Sequence, residues 1–250
     1  MSAFFLRVEQ SDLSIESGVS MGKGQVAGID ADQCVQSGVA PVIRADRPEG
    51  EERASLILAH GAGAPMDSPF MEQMAERLVA RAIAVFRFEF AYMAERRATG
   101  RKRPPNPQAQ LLQQWRDVYL TMRQQTAGRL AIGGKSMGGR MATLLADELE
   151  ADALVCLGYP FYAAGKPEKP RVAHLAELRT PTLILQGERD ALGNRETVSD
   201  YYLSSAVTID WLAAADHDLK PLKRSGLTHE QHLDRAADAI AAFLDNRLGS

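Results

Sequence analysis

The chain has 250 residues, of which 45% are hydrophobic and 24% are charged, a composition typical of one globular domain with a large core. The formal net charge of −3 excludes a general basic field for nucleic acid, and no apolar run approaches the roughly 18 residues of a membrane span. We therefore expect neither a nucleic-acid nor a membrane partner. Two cysteines, Cys34 and Cys156, are too few for a disulfide framework, and the N-terminal segment lacks a signal-peptide pattern, which together favour the cytoplasm.

The N-terminal part of the chain differs from the rest. Residues 11–38 are rich in Ser, Gly, Asp and Gln and have no sustained hydrophobic period, although residues 39–44 could form a short edge strand. We interpret residues 1–35 as an N-terminal extension, either poorly ordered or an edge hairpin, and residues 36–250 as a single domain.

From residue 55 onward, short strand-like runs alternate with helical patterns. Strands are predicted at 55–59, 83–88, 129–132, 153–157, 182–186 and 206–212; helices at 69–81, 108–126, 137–150, 195–203 and from the capping box at Thr228 to 248; and loops at 60–68, 92–107 and 159–170. Several strand runs, such as 56–58 and 183–185, are apolar throughout, as in a parallel sheet covered on both faces. The pattern predicts a three-layer α/β/α fold with a mostly parallel twisted sheet.

One predicted strand leads directly into a G-x-S-x-G motif made of Gly134, Ser136 and Gly138. Between a strand and a helix, this spacing is typical of a nucleophile elbow, a turn so tight that glycine is needed two residues on either side of the serine. The turn would raise the Ser136 hydroxyl above the edge of the sheet.

Two further loops bring an acid and a base to the same predicted edge, because the carboxyl ends of parallel strands meet there. Asp190 follows strand 182–186 and His217 follows strand 206–212. A serine needs a nearby base to become nucleophilic, and that base needs a carboxylate to orient it. We predict Ser136 as nucleophile, His217 as base and Asp190 as orienting acid, with Glu188 as the alternative acid in the same loop. The other histidines, as weaker alternatives for the base, are His60, His174, His229 and His232.

An attacked carbonyl also needs hydrogen-bond donors for its oxyanion. The predicted donors are the backbone N–H of Met137 and one from the turn after strand 55–59, at Ala62. Gly61 in that turn, Tyr92 and Tyr159 are predicted to contact substrate, although aromatic side chains in these positions also suit the core.

Two phosphate-binding interpretations fail on spacing. Gly134-Lys-Ser136 resembles the end of a P-loop, but the glycine required earlier in that motif would fall at Arg129. Gly61-x-Gly63 begins a dinucleotide fingerprint whose third glycine would fall at Met66. Metal-ligand spacing is also missing, and we expect no metal and no cofactor.

The basic segment, residues 96–103, contains five cations in eight residues. Such a run is usually a solvated loop. An alternative hypothesis is that Arg101, Lys102 and Arg103 border the active crevice and favour an anionic acyl or alcohol portion of the substrate.

Taken together, the motifs from residue 55 to residue 245 resemble those of the α/β-hydrolases, of the small, lid-poor, dienelactone-hydrolase-like kind. Within that superfamily the chain is similar to bacterial hydrolases related to the animal testis-expressed and NSL-complex hydrolase-like proteins. The matching pieces are His60-Gly-Ala-Gly-Ala-Pro-Met-Asp-Ser-Pro-Phe70, Phe88-Glu-Phe-Ala-Tyr-Met93, Arg103-Pro-Pro105, Gly133-Gly-Lys-Ser-Met-Gly-Gly-Arg140, Gln186-Gly-Glu-Arg-Asp190 and Asp216-His217. The resemblance implies a triad of Ser136, Asp190 and His217 but no particular substrate. Dienelactone hydrolases proper use a cysteine where this chain has Ser136.

The sequence therefore predicts a serine hydrolase that cleaves an ester, or a similarly activated acyl bond, of a small molecule through an acyl-enzyme, as a monomer or homodimer. Two alternatives remain. The chain could be a catalytically silent, hydrolase-like binding or scaffold protein, or a peptidase or acyltransferase that uses the same triad.

Overall fold

The computed structural model describes residues 42–248. The predicted extension at 1–35, Cys34 and the first residues of the predicted domain lie outside the described residues. The strands are β1 (Ile43–Asp46), β2 (Ala54–Ala59), β3 (Ile83–Phe88), β4 (Leu130–Lys135), β5 (Ala153–Leu157), β6 (Tyr162–Ala163), β7 (Lys166–Pro170), β8 (Thr182–Gly187) and β9 (Val207–Leu212). The α-helices are α1 (Pro69–Val79), α2 (Ala91–Thr99), α3 (Gln108–Gln125), α4 (Met137–Thr143), α5 (Arg195–Val198) and α6 (His229–Leu248), and short 3₁₀ helices cover Ala173–Ala176 and Lys223–Ser225.

Seven strands form the central sheet in the order β1-β3-β2-β4-β5-β8-β9. β1 is antiparallel to β3, and every other neighbouring pair is parallel. Helices cover both faces: Leu56 and Leu58 of β2 pack in the cluster that contains α1 and α6, whereas Ile57 packs in the cluster that contains α3 and α4. The predicted three-layer architecture with a mostly parallel sheet is confirmed.

The predicted loop at 92–107 is wrong in its first half, where α2 forms instead. The prolines that suggested a loop all follow Gly100, which ends the helix in the left-handed conformation at φ 67°. Before it, the segment is made largely of good helix formers, and burial of Tyr92 and Met93 fixes one side of the helix.

Other elements also differ from the sequence prediction: α1 ends at Val79 instead of 81, and β4 extends to Lys135 instead of ending at 132. The predicted loop at 159–170 contains the antiparallel pair β6–β7. Helix α4 ends at Thr143 rather than at 150, because the N–H groups of Leu144 and Leu145 donate to carbonyls three residues back and the chain continues in turns. Helix α5 ends at Val198 instead of reaching 203.

A buried ion pair attaches the edge strand β1 to the sheet. The Arg87 side chain is only 1% exposed, and its guanidinium donates to both carboxylate oxygens of Asp46, at 2.7 and 3.0 Å. The same guanidinium donates to the carbonyl of Met66 at 2.7 Å. One side chain of β3 therefore holds both β1 and the loop that follows β2.

Replacing Asp46 with alanine should lower the free energy of unfolding by about 3 kcal/mol, because the Arg87 charge is left buried without a counter-charge. Urea denaturation measures the loss. The matched control is Asp238→Ala, which removes the partner of Arg81 on the surface, where Asp238 is 68% exposed, and should cost at most about 1 kcal/mol. Equal losses in the two variants would contradict the anchoring role of Asp46.

Candidate active site

Ser136 occupies a strained turn between β4 and α4. Its backbone has φ 52° and ψ −115°, a conformation that L residues rarely adopt. Glycines allow this turn to form: a Cβ on Gly134 would lie 2.7 Å from the Gly138 carbonyl carbon, and one on Gly138 would lie 2.6 Å from the His60 carbonyl oxygen. The close crossing of backbones therefore restricts both positions to glycine.

Three side chains from separate loops meet at the carboxyl edge of the sheet. The Ser136 Oγ lies 2.9 Å from Nε2 of His217, and Nδ1 of His217 lies 2.7 Å from Oδ2 of Asp190. Because a carboxylate only accepts, Nδ1 carries the proton in the neutral ring and Nε2 faces the hydroxyl as an acceptor. Such an arrangement can take the hydroxyl proton onto the imidazole and stabilise the resulting cation.

The carboxylate of Asp190 is fully buried, and its loop holds it in place. Oδ2 accepts from the side-chain amide of Gln186 at 2.8 Å, and Oδ1 accepts from the backbone N–H of Leu192 at 2.7 Å. The alternative acid, Glu188, points elsewhere: it pairs with Arg195 and accepts from the backbone N–H of Ala214. The structure therefore brings Asp190, and not Glu188, to the histidine.

The weaker histidine candidates are engaged away from the serine. His174 lies 2.8 Å from the Thr143 hydroxyl, and His229 and His232 contact the carbonyls of Asp218 and Leu219. His60, the first residue of the 60–62 turn, is fully buried.

The 60–62 turn lies against Ser136, and hydrogen bonds of His60 and Tyr92 hold it in place. A Cβ on Gly61 would be 3.6 Å from the Ser136 Cβ. Nε2 of His60 accepts from the backbone N–H of Phe90 at 3.1 Å, so Nδ1 carries the proton and donates to the Gly61 carbonyl at 2.7 Å. Burial lowers the pKa of His60, which keeps the ring neutral. The Tyr92 hydroxyl donates to the Ala62 carbonyl at 3.0 Å.

Ala62, Ser136 and Met137 line one cavity of about 420 Å³, named here the Ser136 cavity. The two predicted oxyanion donors therefore belong to residues on the same cavity as the serine hydroxyl. Three apolar side chains, those of Leu111, Met137 and Met141, form part of its wall.

Of the residues predicted to contact substrate, Gly61, Tyr92 and Tyr159 are not among those that line the Ser136 cavity. Tyr92 and Tyr159 are buried, and each hydroxyl donates to a backbone carbonyl, that of Tyr159 to Arg171 at 2.9 Å. These contacts support loops around the cavity from behind.

The basic segment lies apart from the serine. Arg97 pairs with Asp67 and Glu89, and Arg103 pairs with Glu95. The other three cations, Arg96, Arg101 and Lys102, line a separate cavity beside Pro65.

Lys135 is a site residue that the sequence analysis missed. Although it directly precedes Ser136, its side chain is only 8% exposed, and Nζ donates to the backbone carbonyl of His217 at 2.8 Å. Nζ also lies 3.1 Å from a carboxylate oxygen of Asp218. Burial lowers the pKa of Lys135, against the opposite effect of Asp218. A lysine that ends an otherwise apolar strand is the signal that could have revealed it.

Within residues 42–248, no group of three or more His, Cys, Asp or Glu side chains is placed to hold a metal ion. In that same part of the chain, no helix is long and apolar enough to cross a membrane.

A family model described as an alpha/beta hydrolase domain matches residues 52–245. Among solved structures, the chain is similar to an α/β serine hydrolase without a lid from Xanthomonas campestris, at 19% identity and TM-score 0.62, over 84% of this chain and 90% of that one. It is also similar to Est1E from Butyrivibrio proteoclasticus, at 14% identity and TM-score 0.64, over 92% of this chain and 100% of that one. A third similar structure is a dienelactone hydrolase from Anabaena variabilis, at 18% identity and TM-score 0.62, over 91% of this chain and 100% of that one. At these identities the likeness to the solved structures concerns the fold.

Replacing Ser136 with glycine should make the protein more stable than replacing it with alanine, by about 1 kcal/mol. Both variants lose the hydroxyl, but only glycine relieves the backbone strain at φ 52°. Glycine also gains more conformational entropy on unfolding, which lowers stability, and we expect the relief of strain to be the larger effect. Urea denaturation gives the difference. The same pair of substitutions at Ser199, where φ is −60°, should favour alanine. Greater stability of the alanine variant at Ser136 would show that the turn is not strained.

The stability of the folded chain should depend on pH through His174. Burial, and then the charge of Arg140, lower the pKa of His174 to about 4. In the unfolded chain the imidazole takes up its proton near pH 6.5. Below that pH the unfolded state binds a proton that the folded state does not, so the contribution of His174 to the free energy of unfolding is complete above pH 6.5 and is lost as the pH falls through 4. Between pH 7 and 4.5, the free energy of unfolding should therefore fall further in the wild type than in His174→Gln. Equal falls in urea denaturation would contradict this assignment.

Proposed function

This chain belongs to the alpha/beta hydrolase domain family, and from that premise we propose that it is a serine hydrolase that cleaves an ester of a small molecule through an acyl-enzyme. The observation that carries the proposal is the continuous hydrogen-bonded chain from the Ser136 hydroxyl through His217 to the buried carboxylate of Asp190.

In the proposed first step, the Ser136 oxygen attacks the ester carbonyl while its proton passes to Nε2 of His217 across 2.9 Å. The imidazolium that forms is stabilised by the Asp190 carboxylate at Nδ1. Gln186 and the backbone of Leu192 keep that carboxylate from turning away. This support matters because a misoriented ring would present the wrong nitrogen to the serine.

The negative charge that develops on the carbonyl oxygen is proposed to be bound by the backbone N–H groups of Met137 and Ala62. Both residues line the Ser136 cavity. His60 and Tyr92 hold the carbonyls of the 60–62 turn, which fixes the direction of its N–H groups before substrate arrives. Donors fixed in advance need no reorganisation when the charge appears.

The protonated His217 then gives its proton to the leaving alcohol, and the acyl group remains on Ser136. Water attacks the acyl-enzyme, gives a proton to His217 and displaces the serine oxygen, which recovers that proton. The products are an acid and an alcohol, and the proposed cycle uses no cofactor.

The alternative of a silent scaffold is less well supported. A binding protein has no need for a strained residue at 136 or for a buried carboxylate with two dedicated donors, features that lower stability and that serve a reaction. No described contact favours a peptidase or an acyltransferase over an esterase. The relation to the testis-expressed proteins, the cytoplasmic setting and the monomeric or homodimeric state stay predictions.

A fluorophosphonate probe should label the wild-type protein covalently and fail to label Ser136→Ala, as measured by the intact mass of the protein. Short-chain 4-nitrophenyl esters should be hydrolysed by the wild type alone, because the probe and the esters need the same activated hydroxyl. A wild-type protein that is neither labelled nor active on an acetate-to-long-chain ester series would refute the hydrolase and favour the scaffold. Cleavage of peptides, or acyl transfer to an added alcohol in preference to water, would select the third alternative.

The two acids of one loop provide a matched comparison. Asp190→Asn should reduce kcat by roughly 10³- to 10⁴-fold through loss of the correct histidine tautomer. Glu188→Gln, a few residues away and directed at Arg195, should keep kcat near the wild-type value.

A further inference from the structure

The Ser136 cavity contains positive charge that no carboxylate in its described lining neutralises. Among residues 42–248, the charged residues in its lining are Arg140 and Arg171, and the rest of the lining is apolar or uncharged. The groups that interact electrostatically with Arg140 include Tyr159, Arg171 and His174, and none of these is a carboxylate.

Arg140 has hydrogen-bond donors that its surroundings leave poorly used. Its Nε is buried and has no partner, and its two terminal nitrogens each lie 3.4 Å from the side-chain oxygen of Gln108, a long contact. Burial, together with the charge of Arg171, lowers the pKa of Arg140, but a guanidinium still stays protonated at neutral pH. A charged donor kept partly out of water without an acceptor lowers stability unless a ligand satisfies it.

Three other arginines are paired with carboxylates. Arg87, Arg97 and Arg116 each donate to both oxygens of a carboxylate, those of Asp46, Asp67 and Glu148 respectively. Arg140 differs from these three, because among residues 42–248 no carboxylate pairs with it and its buried Nε has no hydrogen-bond partner.

The backbone around Arg171 is fixed, although its side chain is exposed. The N–H of Arg171 donates to the carbonyl of Phe161, and its own carbonyl accepts from the buried Tyr159 hydroxyl. Arg140 lies one helical turn beyond Ser136 on α4, which sets its Cα about 6 Å farther along the helix. The backbones of both arginines thus have defined positions along a cavity whose wall includes Leu111, Met137 and Met141.

We propose that Arg140 and Arg171 form an anion subsite, and that the preferred substrate is an ester whose acyl portion ends in a carboxylate. The guanidinium fork matches the two oxygens of a carboxylate, and the apolar wall suits a methylene chain between that carboxylate and the reacting carbonyl. This inference rests on the proposed function, because it describes the acyl portion of an ester whose carbonyl Ser136 would attack.

The basic segment has a different environment. Its cations are either paired with carboxylates or line the cavity beside Pro65. We therefore assign recognition of the anion to Arg140 and Arg171 in place of the hypothesis that Arg101, Lys102 and Arg103 provide it.

Two esters of matched chain length test the proposal: 4-nitrophenyl hydrogen adipate, which ends in a carboxylate, and neutral 4-nitrophenyl hexanoate. In the wild type, kcat/KM should be about tenfold higher for the adipate ester than for the hexanoate ester. Arg140→Gln and Arg171→Gln should each lower kcat/KM for the adipate ester about tenfold, mainly by raising KM. The hexanoate values should change little. Losses of equal size on both esters would assign the arginines a structural role and overturn the proposal.

The matched control is the double variant Arg101→Gln with Lys102→Gln, which removes two cations of the basic segment outside the Ser136 cavity. It should keep the preference for the adipate ester. Loss of the preference in this variant, with none in Arg171→Gln, would return anion recognition to the basic segment and overturn the proposal.

Binding measured without turnover separates this inference from the proposed function. Calorimetry with the Ser136→Ala protein should show tighter binding of the adipate ester than of the hexanoate ester, and added salt should weaken only the first. Equal binding of the two esters would overturn the anion subsite even if Ser136 hydrolyses both. Preferential binding without any hydrolysis by the wild type would instead keep the subsite and refute the hydrolase.

Discussion

The close passage of three backbones around Ser136 is the constraint on which the rest of the site depends. The end of β4, the start of α4 and the end of β2 approach so closely that a side chain at Gly134 or Gly138 would overlap main-chain atoms. This contact fixes the strained serine above the sheet edge and at the same time places the 60–62 turn beside it. The position of the hydroxyl and the position of the turn are consequences of one packing arrangement.

Around Ser136, His217 and Asp190, several other side chains hold backbone atoms in place. His60 binds the backbone of the 60–62 turn and Tyr92 the carbonyl of Ala62, while Lys135 binds the carbonyl of His217. Gln186 holds Asp190 in a similar way, although its side-chain amide donates to the carboxylate itself and not to the backbone. Buried groups of this kind keep loops in place because the alternative is an unpaired donor or acceptor out of water.

The fold, and the meeting of Ser136, His217 and Asp190 at one edge of the sheet, could be predicted because their signals are local. Apolar strand runs, turn glycines and the position of a residue after a strand are all visible along the chain. The helix α2 was missed because prolines beyond Gly100 dominated the pattern. The sequence favoured Asp190 but left Glu188 as an alternative, because the difference lies in partners that are distant along the chain. Asp190 contacts His217, whereas Glu188 accepts from the backbone of Ala214.

The residues that line the cavity were the hardest to foresee for a related reason. In the sequence, Arg140 has the pattern of an ordinary surface cation. It differs from Arg116 in its tertiary contacts, since no carboxylate of the described residues pairs with it and its Nε is buried. Tyr92 and Tyr159 suggested pocket walls because aromatic rings suit them, yet their hydroxyls find carbonyls in the interior. Whether a polar side chain faces a ligand or a loop is decided by tertiary contacts.

The bond between Lys135 and the carbonyl of His217 has a mechanical consequence. Lys135 is joined covalently to Ser136 on one side and by hydrogen bond to the backbone of the histidine on the other, so the serine and the histidine share a single support. We therefore expect the two residues to be displaced together when this edge of the sheet moves, with little change in their separation. Two segments that are far apart in the sequence, the end of β4 and the loop after β9, are thus coupled by one hydrogen bond.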